Sequence, residues 1–176
     1  IIEIPESVVI YPAVHYVSND ENVEETIKLI REELQHRLVE LQNQNKLVEA
    51  QRLEQRVKYD IEMIKEMGYC SGIENYSRII ERRPIGSAPA TLLDYFQGDF
   101  LTVIDESHVT LPQLKGMYHG DASRKNTLIE YGFRLPCARD NRPLKSEEFF
   151  SKVHQKIYIS ATPADFEKET SSQLVE

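Results

Sequence analysis

Long apolar runs, clustered cysteines and metal-spaced histidines are all missing from this 176-residue chain, and each gap removes a class of protein. No stretch approaches the roughly 18 apolar residues that a membrane span needs. No signal peptide is visible, so the expected location is the cytoplasm, away from membranes. Cys70 and Cys137 are the only cysteines, far apart and without a CxxC, and they read as reduced thiols rather than a disulfide framework. The five histidines, at 15, 36, 108, 119 and 154, lack metal-ligand spacing, which argues against zinc. Positive charge is in deficit: 21 Lys and Arg against 29 Asp and Glu leave a net charge of −8. That balance argues against a generally basic nucleic-acid binder, while leaving room for a local patch. There is no initiator methionine, and the chain opens in an extended apolar stretch, so it reads as a piece of something longer.

What is present is organised around Phe100-Leu101-Thr102-Val103-Ile104, a short apolar run, β-branched at three positions, that reads as a buried strand. Asp105-Glu106-Ser107-His108 follows it at once. The carboxyl ends of strands in open parallel sheets are where ligands bind, and two adjacent carboxylates there favour a cation. In a nucleotide hydrolase the first acid of such a pair holds Mg²⁺ and the second orients the attacking water. A second strand, Lys156-Ile157-Tyr158-Ile159, runs into Ser160-Ala161-Thr162-Pro163. An acidic DExH tetrad followed at this distance by Ser-Ala-Thr-Pro resembles motifs II and III of the superfamily 2 helicase-type ATPases.

The rest of the chain divides by its punctuation. Residues 1–17 alternate loosely and carry Pro5 and Pro12, the pattern of an edge strand or joining segment. Ser18 and Glu21 form a capping box. From there to Met67 no proline or glycine appears. Apolar positions Val23, Ile27, Ile30, Leu34, Leu38 and Leu41 recur at helical spacing, and Leu47, Ala50, Leu53, Val57, Ile61, Ile64 and Met67 form a second face. Asn43-Gln44-Asn45 between them predicts an antiparallel hairpin turning near residues 43–46; one continuous helix or a partner-binding coiled coil are the alternatives. Gly68 is placed to end the second helix. Ser71 with Glu74 predicts a capped helix to about Arg82, and Thr91 caps a short turn before the strand. Beyond the acidic tetrad, Thr110 and Gln113 predict a helix start, Gly116 to Gly120 a flexible loop, and Asp121 a helix ended by Gly132. Residues 134–145 read as an irregular basic loop, Ser146 as the cap of a last helix, and residues 164–176 as a polar, fraying tail.

Three blocks narrow the resemblance. Gly68-Tyr69-Cys70-Ser71-Gly72-Ile73-Glu74-Asn75-Tyr76-Ser77-Arg78, then Asp105 to Leu114, then Gly132-Phe133-Arg134-Leu135-Pro136 with Asp140-Asn141-Arg142-Pro143-Leu144 resemble the UvrB family, the DNA-damage recognition subunits of bacterial nucleotide excision repair. Cys137 departs from the pattern, standing where a small residue, usually serine, is expected. The resemblance implies an α/β fold: half of a RecA-like P-loop ATPase domain preceded by a mainly helical subdomain with a long helical hairpin. Residues 1–14 would be the trailing edge of a UvrA-binding domain, 15–90 the helical subdomain, 91–163 the C-terminal half of the first ATPase domain and 164–176 a tail. The two strands would be parallel neighbours. Asp105 then matches the Mg²⁺-holding acid and Glu106 the acid that activates water. His108, Ser160, Ala161 and Thr162 match groups that relay the nucleotide state, while Arg56 and Glu74 would help to clamp DNA. ATP and Mg²⁺ are the implied cofactors, and damaged DNA, UvrA and UvrC the implied partners. The family's phosphate loop, GxxxxGK[ST], has no match in this sequence, so the chain alone is expected to be inactive. An open sheet edge would favour self-association. A non-catalytic helical interaction module on a degenerate ATPase half, and another superfamily 2 DNA translocase, are the competing readings.

Overall fold

The computed structural model describes residues 20–96 and 98–175. The edge strand expected in residues 1–17 and the capping box of Ser18 with Glu21 lie outside the described residues.

Two long helices, α1 (Asp20–Asn43) and α2 (Leu47–Met67), fold back on each other through a three-residue turn, as the two apolar faces predict. Asn45 adopts φ +57° in that turn. Asparagine tolerates this left-handed conformation better than most side chains. Ile27, Ile30, Leu34, Leu38 and Leu41 of α1 are buried with Leu53, Val57, Ile61 and Ile64 of α2. Cys70, Ile73, Tyr76 and Ile79 close the same core, joined from far along the chain by Leu135 and Cys137. Gly68, with φ +68°, ends α2 by donating its N–H to the Ile64 carbonyl.

The expected helix from Ser71 to Arg82 is replaced by a 3₁₀ turn, Ile73–Tyr76, and one turn of α3 (Ser77–Ile80). The Ser71–Glu74 box does not form. Gly72 turns the chain at φ +84°, and the Asn75 side-chain amide donates to the Gly72 carbonyl at 2.7 Å. Thr91 does cap the following turn, its N–H and hydroxyl both donating to the Asp94 carboxylate.

Strands β1 (Leu101–Ile104) and β2 (Gln155–Tyr158) pair in parallel, Leu101 opposite Gln155 and Ile104 opposite Tyr158. Among the described residues helix predominates, and the α/β character rests on this one parallel pair. The expectation of a buried strand is corrected: Ile104 is covered, but Leu101, Val103 and Ile157 are about half exposed. A central parallel strand is apolar because it is normally covered on both faces, and among the described residues one face of this pair has no cover.

The largest correction concerns residues 107–130. The glycine-flanked loop expected at Gly116 to Gly120 is instead the middle of a single 24-residue helix, α4 (Ser107–Glu130), running through Pro112. Local propensity disfavours this, and the ends override it. At the start, the Thr110 hydroxyl donates to the Asp105 carbonyl. At the finish, Phe133 N–H bonds the Leu128 carbonyl at 2.8 Å and Gly132 N–H the Ile129 carbonyl at 3.3 Å, a Schellman arrangement with Gly132 at φ +71°. Residues 136–140 form a further 3₁₀ turn, and α5 (Ser146–Lys152) starts with the Lys145 N–H donating to Glu148. Ser146 is not the cap; its hydroxyl bonds Glu147. The tail does not fray throughout. It carries α6 (Asp165–Thr170), whose Phe166 ring lies against Phe150 and Tyr158.

Two expectations follow. A Cβ added at Gly132 would sit 2.2 Å from the Glu49 carbonyl oxygen, whereas at Gly116 and Gly120 it would meet nothing. Gly132→Ala should cost at least about 2 kcal/mol in urea unfolding, and Gly116→Ala should add about 0.5–1 kcal/mol. The second concerns Glu148, which holds the buried Arg142 in a two-pronged pair at 2.7 and 2.8 Å. That bond lowers the Glu148 carboxyl to about 2. A depressed carboxyl contributes stability that is complete above its ordinary value and disappears as pH falls through the folded one. Glu148→Gln should therefore be less stable at neutral pH and show a flatter decline in urea midpoint from about pH 5 to pH 2.

Candidate functional site

The acidic pair sits where β1 turns into α4. Asp105 and Glu106 are exposed, and the Glu106 N–H donates to Asp105 Oδ1 at 3.0 Å. Glu106 adopts φ +44°, a left-handed conformation that costs a non-glycine residue about 1–2 kcal/mol. Next to it Ser107 is fully buried, and its N–H donates to the Ile159 carbonyl at 3.0 Å, while Ile159 N–H donates to the Ile104 carbonyl.

That ladder brings the end of β2 against the acidic turn. His108 Nδ1 lies 2.7 Å from Ser160 Oγ and 3.4 Å from Glu106 Oε2. The Thr162 N–H donates to Ser160 Oγ at 3.1 Å, so that oxygen joins the backbone of the 160–162 loop to the His108 ring. Asp105, Glu106, His108, Ser160 and Thr162 are thus gathered at the carboxyl ends of two parallel strands. Ala161 lies exposed between the last two and makes no side-chain bond.

Among the described residues no three His, Cys, Asp or Glu side chains converge to make a metal cage. A magnesium ion bound with a nucleotide does not need one. It keeps several waters and takes one or two carboxylates plus phosphate oxygens, a demand that the exposed Asp105 and Glu106 fit.

Arg56 and Glu74 lie apart from this cluster, at the base of the hairpin. Arg56 Nε is 3.1 Å from the Asp60 carboxylate and its Nη2 donates to the Ser71 carbonyl at 2.9 Å. The Asp60 bond raises the guanidinium's pKa further. Asp60 is itself buried and accepts the Tyr76 hydroxyl at 2.8 Å. Burial, and then the neighbouring carboxylate, push that phenol well above its ordinary range. Arg56 therefore ties α2 to the 71–76 turn, with Nη1 used in neither bond. Glu74 is exposed, its Oε1 3.4 Å from the Asn75 amide.

Three polar groups escape a reading of the sequence. Arg78 pairs with Glu33 of α1 and, at 3.0 Å, with Asp140, whose Oδ1 accepts the Gly86 N–H. Glu33 also accepts the Cys137 N–H at 2.6 Å. Asp60 breaks the apolar face between Val57 and Ile61, a signal that was there to be read. Glu167 is buried and accepts the Ser107 hydroxyl at 3.0 Å; nothing in its polar surroundings in the sequence marks it. Both cysteines are free and buried, and burial pushes the Cys70 thiol up to about 12 and Cys137 well above its ordinary value, so neither is a nucleophile at neutral pH.

Residues 21–82 match the family described as the UvrB third helical domain. The chain is also similar to UvrABC system protein B of several organisms. It is 61% identical over 169 residues to that of Caldicellulosiruptor bescii, covering 96% of this chain and 26% of the relative. The Caldanaerobacter subterraneus protein is 62% identical over 169 residues, with the same coverage. That of Bacillus caldotenax is 60% identical over 171 residues, 97% of this chain and 26% of the relative. The chain thus spans about a quarter of the length of these relatives.

The Asp60 network yields a stability test. Tyr76→Phe removes one donor to a buried carboxylate and should cost about 1–2 kcal/mol in urea unfolding; an unchanged midpoint would mean that water replaces the phenol.

Proposed function

As this chain belongs to the UvrB family, we propose that it is the stretch of a DNA-damage verification ATPase that joins half of the nucleotide site to a DNA-clamping helical region. On this reading residues 15–90 form the helical subdomain after the end of a UvrA-binding domain, and 91–163 the C-terminal half of a RecA-like domain. The longer protein acts in the cytoplasm with UvrA and UvrC on damaged DNA. The observation that carries the reading is the apposition of Asp105, Glu106 and His108 with Ser160 and Thr162, through the 2.7 Å contact of His108 with Ser160.

Asp105 would hold Mg²⁺ with the phosphates of ATP, and the ion's chemistry there is to neutralise charge on the transferring phosphoryl group. Glu106, next to it and exposed, orients and deprotonates the attacking water. His108 lies within reach of both Glu106 and Ser160, so a change at the γ-phosphate position alters the bond it shares with the Ser160–Thr162 loop. Arg56 and Glu74 act at the other end, on the DNA strand held by the helical region. The internal bonds of Arg56 make it a rigid contact rather than a mobile one. The phosphate loop comes from outside this sequence, so the chain by itself neither binds nor hydrolyses ATP.

Phosphoryl transfer of this kind is limited by positioning and charge, so removal of a group that activates water is felt in turnover rather than affinity. In the longer protein, Glu106→Gln should keep ATP binding within about twofold by calorimetry while lowering turnover by about 10²–10⁴-fold. Turnover equal to that of the unaltered protein would remove Glu106 from the chemistry.

A further inference from the structure

Glu167 has no part in the reading above, yet it is one of the few carboxylates that the fold buries, at 3% exposure, and its partner Ser107 is at 0%. A buried carboxylate is costly unless it is hydrogen-bonded, and the bond it takes is to the residue directly after the acidic pair. Ser107 is held from two sides: its N–H by the Ile159 carbonyl at the end of β2 and its hydroxyl by Glu167 of α6. Glu167 lies five positions beyond Thr162, with Phe166 beside it seated on Phe150 and Tyr158. The segment from Ser160 to Glu167 is therefore a short strap, fixed by β2 at one end and by the Ser107 hydroxyl at the other.

We propose that Glu167 is a positioning residue for the acidic turn: by accepting the Ser107 hydroxyl it closes the 160–167 strap over the start of α4, holding Asp105, Glu106 and His108 against Ser160 and Thr162. The functional meaning of that arrangement rests on the nucleotide-site reading above; the mechanical claim stands on the hydrogen bonds alone. Glu167 itself touches no reacting atom. It acts through Ser107, whose backbone fixes the left-handed Glu106. A glutamine at position 167 keeps a carbonyl oxygen for the serine hydroxyl, and an alanine does not.

The test is amide hydrogen exchange on this chain, without nucleotide, read at Ser107 and Ile159, whose N–H groups join the acidic turn to β2, and at Val57 and Ile61 in α2 as the reference. Glu167→Ala should speed exchange at Ser107 and Ile159 by about tenfold while Val57 and Ile61 change less than about twofold. Glu167→Gln should restore the slow rates. Unchanged rates at Ser107 and Ile159 in the alanine variant would overturn the proposal. So would equal acceleration in the hairpin, the mark of a general loss of stability, and so would failure of glutamine to rescue. Because no nucleotide enters, a Glu106→Gln result that sank the ATPase reading would leave this outcome untouched, and the converse holds.

Discussion

The close approach of Gly132 to the Glu49 backbone joins the C-terminal end of α4 to the helical hairpin. No side chain fits between them: an added Cβ would lie 2.2 Å from the carbonyl oxygen. The approach sets the C-terminal end of α4 directly on the hairpin, where Arg37 donates to the Ile129 carbonyl and Arg52 to the Tyr131 carbonyl. Cations at the carbonyl end of a helix complement its dipole as well as its unpaired acceptors. The 24 residues of α4 then run about 36 Å at 1.5 Å per residue, and its opposite end begins with Ser107 beside the acidic pair. One helix thus carries the acidic turn at one end and rests on the hairpin at the other.

A polar knot reinforces this joint. Arg78 links Glu33 of α1 to Asp140 of the 136–140 turn, and Arg142, two residues on, is held by Glu148 and by the Gly86 carbonyl. Ion pairs of this kind contribute little net stability when set against apolar packing of the same volume. Their geometry, however, admits one arrangement of three segments that are distant in sequence. Leu135 and Cys137 supply the apolar part of the same contact by closing the hairpin core. Cys137 is buried with its Sγ donating to the Asn75 carbonyl at 3.4 Å, so the thiol fills the space and supplies a weak donor.

The parts legible from sequence were those specified locally and repeatedly. The hairpin announces itself through two apolar faces and the Asn43-Gln44-Asn45 interruption, and Gly68 and Gly132 end their helices where their φ values require. The parallel pairing of the two strands was what the resemblance implied. The continuity of α4 was not legible, because Gly116 and Gly120 argue locally for a flexible loop, while the bonds that hold its C-terminal end come from Arg37 and Arg52, far away in sequence. The same separation hid Glu167, one acid among several in a polar tail, whose burial depends on a serine 60 positions earlier. Arg56 was singled out as a contact residue, but its partner Asp60 stood one helical turn away on the same face, and that spacing was readable.

The uncovered face of the strand pair bears on what the acidic site can do. Parallel sheets are stable when both faces are covered, and Leu101, Val103, Ile157 and Ile159 present an apolar surface with no cover among the described residues. Each is already about half buried, so covering the remainder would add on the order of 1 kcal/mol apiece, and further structure laid on that face would strengthen the platform on which Asp105 and Glu106 stand. Among the described residues the acidic turn is tied to β2 and α6 by Ser107, Ile159 and Glu167, beside the bond of the Thr110 hydroxyl to the Asp105 carbonyl. The hydrogen bonds of that triad therefore carry a positional load that packing would share in the longer protein.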